Sequence, residues 1–185
     1  MSKIILASGS PRRKQLMKMV GIDFEVIVAD IIETIDYNND LIKEIEKLSF
    51  QKANAVFKDH PDNIVIGSDT IVKIDNKILG KPRTLQEAKQ MLKTLSNRTH
   101  EVVTAVTILS KEKKETFSSI TQVTFYELTD EEIDNYVEIV KPLDKAGAYA
   151  IQDKGSEFVK AINGDYYTVV GLPIAEVYHR LKAYQ

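Results

Sequence analysis

The 185 residues, 43% hydrophobic and 28% charged, have the make-up of a globular chain, long enough for one domain or for two small lobes sharing a core. A net charge of −2 argues against broad, non-specific nucleic-acid binding, which needs a basic face, but leaves room for a local basic pocket. With no cysteine, disulfides, thiol catalysis and cysteine zinc sites are excluded, and His60, His100 and His179 are too dispersed for a metal-ligand motif.

Strand-like and helix-like segments alternate along the chain, which predicts an α/β fold. Ile4, Ile5, Leu6 and Ala7 predict a buried strand over 3–7. Ser10-Pro11 then reads as an N-cap with proline at the first helical position, opening a helix over 11–20 that stops at Gly21. Its first turn carries Arg12 and Arg13, where cations are unfavourable against the helix dipole. Free backbone N–H groups and two guanidinium forks would converge there on a polyanion, so the turn points to a phosphate-bearing small molecule. Two solvated surface arginines are the alternative.

A second strand is predicted over 24–28, and Glu33, a lone acid in the apolar-rich stretch 31–35, is either a metal ligand or a loop charge. Asp40 can cap a helix running to about residue 59. Lys52 falls on the apolar stripe of that helix, in register with Ile45 and Leu48. An ammonium facing a core is costly unless it is paired or turned to an anion; otherwise it snorkels to solvent. A short apolar strand over 63–67 precedes Asp69, which would then lie just beyond a strand's C-terminal end, where open α/β sheets place ligands. There it holds a divalent cation or orients a water beside phosphates, or it merely starts a turn. Residues 70–74 and 77–79 predict a hairpin around Asp75-Asn76, closed by Gly80-Lys81-Pro82, whose lysine is a second phosphate ligand or an ordinary surface charge.

Thr84 and Glu87 form a capping box ahead of Ala88, Met91, Leu92 and Leu95 at helical spacing. Strands over 100–109 and 116–126 predict a hairpin across the charged turn 110–115, and Thr129 with Glu132 forms a second capping box before Ile133, Tyr136, Val137 and Val140. The small, apolar segment 147–152 ends in Gln152, whose amide can read a base edge by paired donor and acceptor. A last strand over 167–170 and a closing helix over 172–183 are predicted. Residues 87–136 could form a second lobe, though no composition break marks it. No apolar run approaches the roughly 18 residues of a membrane span, and 8–18 is polar and basic where a signal peptide would be apolar, so a cytoplasmic protein without a membrane partner is expected.

Two arginines, two lysines and one or two acids, with no Cys nucleophile, no Ser-His pair and no GxxxxGK[ST] loop, suit metal-assisted attack of water on a phosphoanhydride. Eight segments in order carry a resemblance: LASGSPRR (6–13), QKA (51–53), GSDTIV (67–72), ILGKP (78–82), EAKQML (87–92), LSNRTHEVVT (95–104), DKAGAYAIQ (144–152) and INGDYYTVVGLP (162–173). Over essentially its full length the chain resembles the Maf-like nucleotide pyrophosphatases. The resemblance implies one domain over 1–185 with an elongated, two-lobed Maf/inosine-triphosphatase-like α/β fold. Its expected features are a bent mixed β-sheet flanked by helices and a deep central cleft. It also implies hydrolysis of nucleoside triphosphates between the α- and β-phosphates to the monophosphate and pyrophosphate, with a divalent metal cation, Mg²⁺ or Mn²⁺.

By motif, Asp69 matches the catalytic base, and Ser8, Arg12, Arg13, Lys52 and Lys81 match phosphate-binding positions. Glu33 aligns with an acid near the metal, which Asp69 would share. The AGAYAIQ segment looks like the branch acting on dTTP and UTP, in which positions matching Arg12, Thr70 and Gln152 bear on base choice. Asp153 departs from the usual glycine and sets a negative charge beside Gln152, while Gly9 and Ser68 replace usual alanines, residues 139–142 a more typical Gly-Glu-Pro, and Thr168 a common asparagine. Two other readings stay open: the same chemistry on 7-methyl-GTP, and a nucleotide-sensing regulator of septum formation, to which family members have been linked. Retention of Asp69 favours an enzyme, since a sensor has no need of a base. Family members are often homodimers, but no apolar patch in the sequence identifies an interface.

Overall fold

Ile4, Ile5 and Leu6 are all buried and form β1 (Ile4–Leu6), which pairs in parallel with β2 (Glu25–Val26) on one side and with β3 (Ile64–Ile74) on the other. The computed structural model describes residues 3–36 and 40–184. Between these strands lie α1 (Pro11–Met19), with proline in its first turn, and α2 (Leu41–Phe57), whose first turn is capped by the Asp40 carboxylate accepting from the Ile42 N–H at 3.0 Å. The chain continues through β4 (Lys77–Leu79), α3 (Leu85–Leu95), β5 (Thr99–Leu109), β6 (Lys114–Phe125), α4 (Asp130–Val140), β7 (Val159–Asn163), α5 (Tyr166–Val170) and α6 (Ile174–Leu181). Together the strands make a seven-stranded mixed sheet, ordered β2-β1-β3-β5-β6-β7 with β4 paired to β3, and the helices flank it. The α/β class predicted from the alternating pattern is therefore the observed one. No helix among the described residues is long and apolar enough to cross a membrane.

The chain divides into two compact units, one of Met1–Thr70, Thr104–Ser119 and Gly171–Gln185, the other of Ile71–Val103 and Ile120–Val170. In the first, Ile5, Ala7, Ala53, Val56, Val65 and Leu109 form a core cluster joined by Phe50 and Phe57. In the second, Phe125 makes T-shaped contacts with His100 and Tyr149, and Phe158 packs against both Phe125 and Tyr136.

Several boundaries differ from the sequence expectation. The segments read as a strand over 63–67 and a separate strand over 70–74 are one strand, β3, because its first residues pair with β1 and its last with β4, and this pairing outweighs the weak strand propensity of Gly67-Ser68-Asp69. Residues 167–170, one tyrosine and three β-branched residues read as a strand, are helical: the Asp165 carboxylate accepts from the Thr168 N–H at 2.6 Å and its hydroxyl at 2.8 Å, a local cap that wins over propensity. The strand lies earlier, in β7. At Thr84 the predicted box is half formed. Its hydroxyl accepts from the Glu87 N–H, but the Glu87 carboxylate turns to the Arg83 N–H. The box at Thr129 and Glu132 is complete.

Candidate active site

The turn from β1 into α1 ends in a buried polar cluster. Ser8 is buried, and its Oγ accepts from the Ser10 N–H at 3.3 Å and from Arg13 Nη1 at 3.0 Å. Those two bonds use both lone pairs and leave its O–H to donate elsewhere. Arg13 also donates from Nε to the Gly171 carbonyl at 2.7 Å and from Nη2 to Thr70 Oγ1 at 3.0 Å. Burial pushes its guanidinium below the ordinary value, while Asp69 and Glu33 favour the charged form. Three of its five N–H donors are thus committed inside the protein. Arg12 differs: successive residues point about 100° apart on a helix, and Arg12 is half-exposed where Arg13 is buried.

Thr70 Oγ1 lies 2.9 Å from Thr104 Oγ1 and 3.5 Å from the Gly171 carbonyl, which also accepts from Ser68 Oγ at 3.3 Å. Gly171 takes φ +122°, a conformation that side chains rarely adopt, so its carbonyl can gather these donors only because it is glycine. Sequence reasoning missed this hub; its one visible signal is a glycine just before Leu172-Pro173 at the end of a matched motif.

Lys52 and Asp69 are brought together by the packing of α2 on β3. A Cβ on Gly67 would lie 2.4 Å from the Ser49 carbonyl oxygen and 2.6 Å from the Ala53 nitrogen, so only glycine lets this helix approach so closely. Lys52, between those contacts in sequence, is 8% exposed, and its Nζ reaches Asp69 Oδ1 at 2.6 Å and Glu33 Oε1 at 2.9 Å. The ammonium on the apolar stripe is therefore a paired one. Asp69 is not beyond the end of a strand, as the sequence suggested, but inside β3, 9% exposed. The Glu33 loop is tied to α2 by Glu44, itself buried, whose Oε2 accepts from the Asp36 N–H at 3.2 Å.

Among the described residues no group of three or more histidines and carboxylates could hold a metal. Glu33 and Asp69 offer two carboxylates converging on one ammonium, a donor set that fits a hard divalent cation taking the rest of its shell from phosphate oxygens and water. A depression of about 400 Å³ lined by Ile31, Ile32, Gln51, Asn54, Ala55 and Lys58 contains none of the candidate residues.

Lys81 and Gln152 belong to the second unit. Lys81 is exposed just after β4, and Gln152 is half-buried in a turn where the Asp153 N–H meets the Ala150 carbonyl at 3.4 Å. Their two segments are joined by the Gly147 N–H donating to the Gly80 carbonyl at 3.1 Å. Asp153 is exposed.

A protein of Bacillus cereus (strain G9842) named dTTP/UTP pyrophosphatase is 55% identical over 184 residues, covering 100% of this chain and 96% of its own. A protein of the same name from Bacillus cytotoxicus is 53% identical with the same coverage, and one from Bacillus anthracis is 54% identical. The sequence profile described as "Maf-like protein" matches residues 3–184. A match running from the first described residue to the last, together with relatives more than half identical end to end, places the chain in the Maf-like protein family.

Proposed function

We propose that this chain is a metal-assisted nucleoside triphosphate pyrophosphatase acting on dTTP and UTP, and on modified pyrimidine nucleotides of the same base edge. The observation that carries the reading is Lys52 Nζ held between Asp69 and Glu33 at 2.6 and 2.9 Å, a paired charge cluster next to the Ser8, Arg13 and Thr70 network. Relatives named dTTP/UTP pyrophosphatase over the full length support the choice of substrate.

In this reading Asp69 accepts the proton of a water whose oxygen bonds to phosphorus at the α–β bridge. The bridging P–O bond breaks, and pyrophosphate leaves the nucleoside monophosphate. Lys52 gives up a carboxylate for a phosphate oxygen, and Ser8, Arg12 and Arg13 bind the remaining negative charge. By motif, Lys81 is the further phosphate ligand of this reading and Gln152 the residue that reads the base. A divalent cation, Mg²⁺ or Mn²⁺, held by Glu33 and Asp69 would neutralise charge on the phosphate oxygens.

The test is product analysis with dTTP, UTP, CTP, GTP and 7-methyl-GTP, with Asp69→Asn as control. Monophosphate and pyrophosphate from dTTP and UTP are expected, with kcat about 10²- to 10⁴-fold lower in the variant, as for loss of a general base. Turnover of 7-methyl-GTP alone would overturn the base assignment and keep the chemistry. Tight binding without turnover would make the chain a nucleotide sensor.

A further inference from the structure

Two locally unfavourable features bracket one residue of the second unit that the reaction does not use. Tyr149 is 6% exposed, and its hydroxyl meets Nε2 of His100 at 2.8 Å, with His100 itself 2% exposed. His100 Nδ1 is buried with no hydrogen-bond partner. Whichever tautomer the ring adopts, this pair leaves a polar atom unmatched inside an apolar cluster. If Nε2–H donates, the Nδ1 lone pair is idle; if the tyrosine O–H donates, a buried Nδ1–H is idle. Phe125 makes T-shaped contacts with both rings, at centroid distances of 4.9 and 4.8 Å. An apolar pair would fill this volume without that cost.

The second feature is Ala148, which takes φ +63°, a left-handed conformation that is uncommon for a residue with a side chain. It is preceded by Gly147 at φ +66°, whose N–H is fixed to the Gly80 carbonyl. The chain therefore reverses sharply, is clamped by Tyr149, and enters the turn from Ala150 to Asp153 that carries Gln152. Strain and an unmatched polar atom on the approach to a turn are retained when the position of that turn matters.

Base chemistry supplies the reason. Uracil and thymine offer a carbonyl beside N3–H, and cytosine offers an amino group beside a bare N3. A glutamine amide can satisfy either pattern by turning over, so it discriminates only if its reach and orientation are fixed. We infer that His100 and Tyr149 are positioning residues for base selection: their hydrogen bond sets the turn that aims the Gln152 amide. This rests on the proposed reading of Gln152 as the residue that meets the base.

The experiment compares the wild-type chain with Tyr149→Phe, His100→Leu, the double variant carrying both, and Gln152→Ala. It measures melting temperature, amide hydrogen exchange over 150–153, and kcat and KM for UTP and CTP. Each single variant leaves one buried partner unmatched and should melt lower. Exchange over 150–153 should quicken, and the preference for UTP over CTP should fall at least tenfold, mainly through KM for UTP. The double variant removes both polar partners, so its melting temperature should recover toward wild type while the fast exchange and the lost preference persist. Recovery of preference together with melting temperature, or a preference intact in both single variants, would overturn the inference and leave the pair a packing feature. A preference unchanged in Gln152→Ala would instead sink the base-reading assignment itself, and the positioning role with it.

Discussion

A lysine 8% exposed beside an aspartate 9% exposed makes an ion pair that is costly to bury and costly to break. Lys52 resolves this by taking two acids at once, Asp69 and Glu33. Lys52→Met keeps the aliphatic stem against the core and removes the charge. Asp69 would keep Arg13 as its nearby cation, and Glu33 is half exposed, so the loss of stability should be about 2–3 kcal/mol, at or below the lower end for broken buried pairs. KM for UTP should rise about ten- to a hundredfold, the loss of one charged hydrogen bond to phosphate. Denaturant titration beside steady-state kinetics separates the two effects, and a large stability loss with unchanged KM would make Lys52 a structural residue alone. Arg13 shows the same economy differently. Neighbours in sequence, Arg12 and Arg13 look equivalent, yet the helix turns only one of them inward, where it ties Ser8, Thr70 and Gly171 together.

Those contacts depend on how closely elements approach, and the α2–β3 contact is set by Gly67. Gly67→Ala would force its Cβ within 2.4 Å of the Ser49 carbonyl, so the helix must withdraw. The expected cost is about 2–3 kcal/mol of stability, typical of overpacking. Withdrawal would also draw Lys52 from Asp69, so kcat/KM should fall about tenfold or more in protein that is still folded, as measured below its unfolding transition. Full activity in such protein would show that the pair tolerates a longer span. The sequence made part of this legible. The register of Lys52 with Ile45 and Leu48 singled out an ammonium that must be paired or snorkel to solvent, and the cap at Asp40 marked where α2 begins. It did not reveal Asp69 inside β3, because strand continuity comes from pairing with β1 and β4 and not from the local residues. Nor did it reveal the helix at Tyr166–Val170, where an aspartate three residues before a threonine outweighed a β-branched run. The Gly171 hub is a backbone oxygen, and its partners are distant in sequence.

At the scale of the whole molecule, the buried polar groups fix how stability follows pH. Burial pushes His100 from its ordinary 6.5 down to about 4, and its ring partner, Tyr149, carries no charge that would oppose this. Depressed in the fold, the imidazole binds its proton more readily in the unfolded chain. Its contribution is therefore fully present above pH 6.5 and is lost as pH falls toward 4. A shift of this size corresponds to about 3 kcal/mol in all, of which about 2 kcal/mol is gone by pH 5. The acids act in a lower window. Lys3 holds Glu25 below the usual carboxylate value, and hydrogen bonds from Thr129 do the same for Glu132. Burial would raise Glu115, but Lys113 and Arg180 outweigh it and hold it low. Stability from these three persists until pH falls below the ordinary carboxylate range, so the early acid loss belongs to the imidazole. Denaturant midpoints taken between pH 7.5 and 4.5 should decline in the wild-type chain and stay nearly flat in the variant carrying both His100→Leu and Tyr149→Phe. An equal decline in both would place the acid-sensitive group elsewhere and show that His100 is protonated in the fold at little cost.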